Sequence, residues 1–297
     1  MTGQFPSGTG ASLVRVFVSR SKLTSVPYNI IENCSQVENL YGAFGGTRIY
    51  GPVNFPATNS IKNISTMYDR NENFGTPTTE QADAAGFDAD VFRATFASNL
   101  KTQFLKLNKL ESANAVFYND ANLKFDTAGL FVNPAGETTF NKLTSLNGCF
   151  AGTKCYCNGK IFETTVKNIA GLFGHTAYTS DAVLNLSWID NEYEFNSISN
   201  SYANNSSVDM TTETLYGAFS GCNIQYLPGV SVTIDGDIYK TFPVSNTGRI
   251  NGCDNLFANS TITASSCKFK VPGSSANQCF YKATLDSITK MDLSSVT

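Results

Sequence analysis

The sequence predicts an α/β repeat solenoid, with one short strand and short helical turns in each coil. One observation is a close internal repeat. Leu40-Tyr41-Gly42-Ala43-Phe44-Gly45-Gly46 returns in the second half of the chain as Leu215-Tyr216-Gly217-Ala218-Phe219-Ser220-Gly221, differing only where Ser220 replaces Gly45. A second is the recurrence of that frame around Phe150, Phe173, Phe257 and Phe280, with Phe96 and Phe117 completing eight copies and Tyr68 and Tyr202 marking two degenerate ones. The third is spacing. Successive Phe intervals are 52, 21, 33, 23, 46, 38 and 23, so three of them fall at 21–23 and 46 is twice 23. Tyr68 divides the interval of 52 into 24 and 28. Units of this length bury their apolar faces only by stacking on one another.

Residues 1–22 lie outside the repeat. Ser12–Val18 alternates like a strand and reads as a cap over the first coil, the alternative being an attachment arm to another subunit. Residues 23–297 carry the coils. Four places before each Phe stands an apolar or small residue: Leu40, Phe92, Ala113, Leu146, Ile169, Leu215, Cys253 and Ala276. Positions four apart share one face of a helical turn, so each pair anchors a turn to a core. Gly, Ala, Ser or Asn then supplies a tight exit. Ile49, Tyr178, Ile224, Ile262 and Leu285 open short β-prone segments. The longer intervals imply loops inserted near 130–142, 180–207 and 229–248, the last reading as a hairpin that turns at Asp235-Gly236. Met291–Thr297 reads like the middle of a coil, so a partner covers it or the natural chain continues.

The pattern resembles the BspA-like, treponemal-type leucine-rich repeat. That repeat's signature is an apolar residue, Ala-Phe, a small pair, Cys or Thr, and an aliphatic residue that opens a strand. Leu215–Ile224 carries it best, with Phe219 and Cys222 in the marked columns. Leu23-Thr24-Ser25-Val26-Pro27 and Tyr226-Leu227-Pro228 resemble the family's strand-plus-proline step. The resemblance implies coils of roughly 23 residues, a strand on the concave face of each, and a stacked core made by Phe44, Phe96, Phe117, Phe150, Phe173, Phe219, Phe257 and Phe280.

Composition excludes several functions. Lys and Arg number 21 against 24 Asp and Glu, with one His, so the chain lacks the basic excess of a nucleic-acid groove. No apolar run reaches the roughly 18 residues of a membrane span. Asn, Ser and Thr together fill 90 of 297 positions, an uncharged polar surface. The eight Cys contain no Cys-x-x-Cys pair and read as buried free thiols, with Cys155 and Cys157 only a weak metal hint. His175 reads as a turn-surface residue, which leaves no Ser–His or Cys–His nucleophile. Gly42-x-x-Gly45-Gly46 lacks the Lys-Ser/Thr of a phosphate loop. No catalytic, cofactor-binding or metal residue is assigned. The candidate ligand contact is the insertion carrying Trp188, Asp190, Glu192 and Tyr193, where carboxylates alternate with aromatics.

Met1–Gly8 lacks the basic and apolar stretches of a secretory signal. With that, the resemblance implies a structural, non-enzymatic bacteriophage virion protein: a head fibre, tail fibre or tail-associated appendage. Its expected partners are other virion proteins, further copies of itself and a host-surface glycan. The alternative is a bacterial cell-surface adhesin, and a third reading is a glycan hydrolase working through Asp190, Glu192 or Glu194.

Overall fold

In the computed structural model of the chain, the described residues are 4–5, 10–19, 22–163, 165–166, 169, 171–174 and 280–286, with strand backbone at 184–185, 223–226, 261–263, 268–270 and 290–292. The chain forms two compact units. One comprises Met1–Leu143, Thr153–Cys155 and Ile161–Glu163; the other comprises Thr144–Gly152, Tyr156–Lys160 and Thr164–Thr297.

The first unit is organised by four stacked turns, 12–19, 39–46, 63–70 and 112–119. Parallel bridges join Ser12 to Asn39, Asn39 to Asn63 and Asn63 to Ser112, the first residues of successive turns. Their backbone hydrogen bonds divide by parity. The N–H groups of Leu40, Gly42, Phe44 and Gly46 donate to the carbonyls of Asn63, Ser65, Met67 and Asp69 in the next turn, at 2.7–2.9 Å. The turns on either side repeat this, Leu13–Ser19 onto Asn39–Gly45 and Ile64–Arg70 onto Ser112–Tyr118. Intervening N–H groups close within their own turn, as Ala43 to Leu40 and Gly45 to Gly42. Half of the polar backbone is therefore satisfied only by a neighbouring turn. Asn39 and Asn63 strengthen the turn starts, their side-chain oxygens accepting from Tyr41 and Ser65 N–H.

The turns are not helical, contrary to the four-residue spacing of their apolar pairs. They are successive β-turns in which every fourth residue is left-handed. Arg15, Gly42, Thr66 and Ala115 have φ of 53–60°, and Ser19, Gly46, Arg70 and Asn119 have φ of 53–65°. The first set stands two places before the aromatic residue, which is why glycine occurs there in some copies. A Cβ on Gly42 would also lie 3.2 Å from Arg15 Cγ and 3.3 Å from Thr66 Oγ1. Gly42→Ala is expected to lose about 1–2 kcal/mol, read as a lower urea midpoint at unchanged slope. Ala115→Gly, at the same dihedral, is expected to shift the midpoint the other way or leave it.

Beneath the turns runs a column of rings. Phe5 meets Phe17 at 6.2 Å, Phe17 meets Phe44 at 5.5 Å, Phe44 meets Tyr68 at 6.0 Å and Tyr68 meets Phe117 at 6.2 Å, the last three pairs stacked within 15° of parallel. Residues 12–19 thus share the turn geometry of the segments that follow them. Phe96 stands elsewhere. It lies on a helix inserted between the third and fourth turns, and Tyr68 holds the column position before Phe117. The insertion contains α1 (Thr79–Ala85) and α2 (Ala89–Phe104). Thr78 and Gln81 close a capping box on α1, left-handed Gly86 ends it, and Asp88 caps α2 through the N–H groups of Asp90 and Val91. Phe96, Leu100 and Phe104 face inward at four-residue spacing. Phe96 then packs edge-on to Phe74 at 5.2 Å and to Phe125 at 5.8 Å. Neither helix is long and apolar enough to cross a membrane.

The second unit repeats the turn rule. Phe150 and Gly152 N–H donate to Leu172 and Gly174 carbonyls, Gly148, Gly152 and Gly171 are left-handed, and the Phe150 and Phe173 rings stack at 5.2 Å. Its backbone also contains β1 (Leu184–Asn185), β2 (Asn223–Tyr226), β3 (Thr261–Thr263), β4 (Lys268–Lys270), β5 (Thr284–Asp286) and β6 (Lys290–Asp292). β1, β2, β3 and β5 pair in parallel, with Leu184, Ile224, Ile262 and Leu285 in one register, and β4 pairs with β6. Ile224, Ile262 and Leu285 each follow a repeat Phe by five positions. Ile49, in the same place of the sequence frame, is buried without belonging to a strand.

Candidate functional site

The sequence-chosen residues fall into three groups. Phe44, Phe117, Phe150 and Phe173 lie buried under the turns, Phe96 lies buried on α2, and Phe280 is half-buried in a turn whose Lys282 is left-handed. Phe219 and Phe257 lie outside the described residues. So do Trp188, Asp190, Glu192 and Tyr193, the candidate ligand contact, together with His175 and the loop expected at 229–248.

Below the turns of the first unit lies a polar file that the sequence frame did not single out. Thr47, Asn71, Asp120 and Thr153 are all buried. Each of Thr47, Asn71 and Asp120 stands three places after its column ring. Asn71 Nδ2 donates to Thr47 Oγ1, which itself donates to the Phe44 carbonyl, and the Asn71 N–H donates to Asp120 Oδ1. Asp120 Oδ2 has no hydrogen-bond partner among the described residues. Burial pushes this carboxyl well above the usual carboxylate range; the Asn71 N–H opposes the rise and the nearby Asp69 adds to it. Burial likewise raises Asp69, against the pull of Arg70, and pushes the Cys155 thiol up to about 12. A thiol held protonated in this way is neither a nucleophile nor a ready metal ligand. Cys34, Cys149, Cys155 and Cys157 are all buried.

Among the described residues of the first unit, two concavities open beside the helical insertion. One, of about 440 Å³, lies at the α1–α2 junction among Asp83, Asp88 and Asp90. Two of its acids are already engaged: Asp88 Oδ1 caps α2 and Asp90 pairs with Arg93 at 2.6 Å. Among the described residues no three His, Cys, Asp or Glu side chains are grouped to hold a metal ion.

The other is a cleft of about 320 Å³ built from three separate stretches: Thr24–Val26 with Tyr28, Ile49–Val53, and Ala85, Phe87 and Phe92 of the helical insertion. Its lining carries no charged side chain. Tyr50 meets Phe87 edge-on at 5.7 Å, and Phe87 meets Phe92 at 5.0 Å, giving a continuous aromatic wall. Gly51 lets that wall close up, since a Cβ there would lie 3.0 Å from Phe92 Cζ. Thr24, Ser25 and Tyr28, also in the lining, are exposed. A compact, largely apolar cleft with a few convergent polar groups has the make-up of a small-molecule site. Its parts come from distant stretches of chain, so the sequence marks Phe92 as a core position, Ile49 as a segment start and Thr24–Val26 as part of a strand-plus-proline step, but does not bring them together.

No family model matches this chain, and no curated protein or solved structure matches it either.

Proposed function

We propose that the chain is a structural, non-enzymatic bacteriophage virion protein, a head fibre, tail fibre or tail-associated appendage. In this reading its turns continue into a repeat solenoid of the BspA-like kind, used for assembly and for contact with the host surface. The observation that carries it is the turn-to-turn ladder of the first unit. Each turn hands alternate N–H groups to the next at fixed register, over a stacked column of rings. A turn of this kind is satisfied only beside another, so the arrangement favours stiff repetition over a hinged catalytic cleft. The uncharged Asn, Ser and Thr surface adds to this, because neutral hydrogen bonds vary little with salt.

The test is the protein content of purified phage particles from the organism that encodes the chain. The chain is expected at fixed stoichiometry, with antibody label on an appendage visible by electron microscopy. Its recovery in the bacterial envelope fraction, and not in particles, would overturn the virion role in favour of a surface adhesin.

A further inference from the structure

We infer that the uncharged cleft beside α1 and α2 is a binding site for a neutral saccharide, with one pyranose ring against the Tyr50–Phe87–Phe92 wall. This names a ligand class for the host-contact role proposed above, and rests on it only for the source of the sugar. A pyranose has two unlike parts. Its axial C–H groups form an apolar face that gains by covering aromatic carbon, and its hydroxyls form an edge that must keep its hydrogen bonds. The lining of the cleft supplies both kinds of group, the rings of Tyr50, Phe87 and Phe92 and the hydroxyls of Thr24, Ser25 and Tyr28.

Tyr28 is held for this purpose by a buried neighbour. Gln103 is 4% exposed, and its Oε1 accepts from the Phe55 N–H at 3.0 Å. That bond fixes which way the amide points. Nε2 is then aimed outward and donates to Tyr28 Oη at 2.6 Å. Tyr28 Oη is thereby an acceptor inside the protein, and among the described residues nothing takes its own proton. A donor is thus left on Tyr28, a residue of the cleft lining that is 55% exposed. A ligand without hydrogen-bonding groups would leave that donor unmatched. A phosphate, carboxylate or ammonium ligand would find no opposite charge in the lining.

Saturation-transfer NMR on the full chain, with the methyl glycosides of glucose, galactose and mannose, tests the site. At least one neutral pyranoside is expected to show transfer to its ring C–H protons. Tyr28→Phe should weaken binding about tenfold by removing one hydrogen bond. Ala85→Trp, an exposed position that fills the cleft, should abolish binding at unchanged melting temperature, and Ser25→Trp gives the same readout should Ala85→Trp fail to fold. Absence of transfer from all three glycosides overturns the site. Equal transfer in the filled variants, or preference for an octyl-chain probe over the pyranosides, does so as well. Virion association without sugar binding would remove this site alone, and sugar binding without virion association would remove only the virion role.

Discussion

Phe117→Ala is expected to cost about 3–5 kcal/mol of unfolding free energy, at the upper part of that range. The ring is fully buried, and four others surround it: Phe74 at 5.8 Å, and Tyr68, Phe104 and Phe125 each at 6.2 Å. Tyr68 and Phe104 stack on it at 9° and 13° from parallel, while Phe125 meets it edge-on. The column rings above and helix α2 below both reach Phe117, so the first unit's two kinds of element meet at this side chain. Truncation leaves a cavity whose walls are held by separate parts of the structure: Tyr68 by the turn ladder, Phe104 by its helix. Walls anchored independently cannot collapse together, and the cavity cost is then felt nearly in full. Urea denaturation of Phe117→Ala beside Val91→Ala, on the exposed face of α2, measures this. The second variant should stay within about 0.5 kcal/mol of the parent. A loss below about 1 kcal/mol in Phe117→Ala would overturn the central place given to this ring.

The burial of Phe44 and Phe117 is legible in the sequence because an apolar or small residue four places upstream recurs with each. Phe17 carries the same mark, with Leu13 four places before it and buried. The alternation of Ser12–Val18 masks it, because alternation ordinarily marks a strand. In the turn ladder, alternation has another origin: every second N–H leaves for the next turn, so the backbone itself has a period of two. Phe96 falls into the sequence frame by an accident of length. The third and fourth turns begin at Asn63 and Ser112, an interval close to two periods, and a helical pair fills the space of one coil. The cues for that pair are present: Thr78 and Gln81 in capping-box spacing, Asp88 ahead of an apolar run, and inward residues at Phe96, Leu100 and Phe104. The left-handed dihedrals are legible only where glycine marks them. At Arg15, Thr66 and Ala115 the turn-to-turn hydrogen bonds impose the conformation on residues that do not favour it, and no local signal announces that.

Asp120→Asn is expected to stabilise the protein at neutral pH, by a margin that shrinks as pH falls to about 4 and below. The parent carboxyl is fully buried, its Oδ1 accepts from the Asn71 N–H, and its Oδ2 meets no donor among the described residues. Burial raises its folded pKa well above the unfolded value of about 3.9. The sign follows. Well below about pH 3.9 the acid is protonated in both states and contributes nothing to the difference. As pH rises the unfolded chain releases the proton while the folded chain keeps it, so stability falls until the folded pKa is passed. Asparagine has the shape of the protonated acid, still accepts from Asn71, and has no proton to lose. The gap between variant and parent should open with pH and reach roughly 1–4 kcal/mol at pH 7, the upper limit being about 1.36 kcal/mol for each unit between 3.9 and 7. Asp69 and the Cys155 thiol lie in the same electrostatic neighbourhood, but the thiol stays neutral across this range. Asp69 is also raised by burial, so its own contribution must be subtracted with an Asp69→Asn series. Urea midpoints of parent and variants at half-unit steps from pH 4 to 8 give the curves. Parallel curves for Asp120→Asn and parent would show that the carboxylate is solvated in the folded state. A diverging pair would identify Asp120 as a residue kept in the polar file at a cost in stability. The return would then lie in register: a carboxyl buried beneath the fourth turn can accept from the Asn71 N–H only when the turns are stacked as observed, so a slipped ladder would leave both oxygens without a donor.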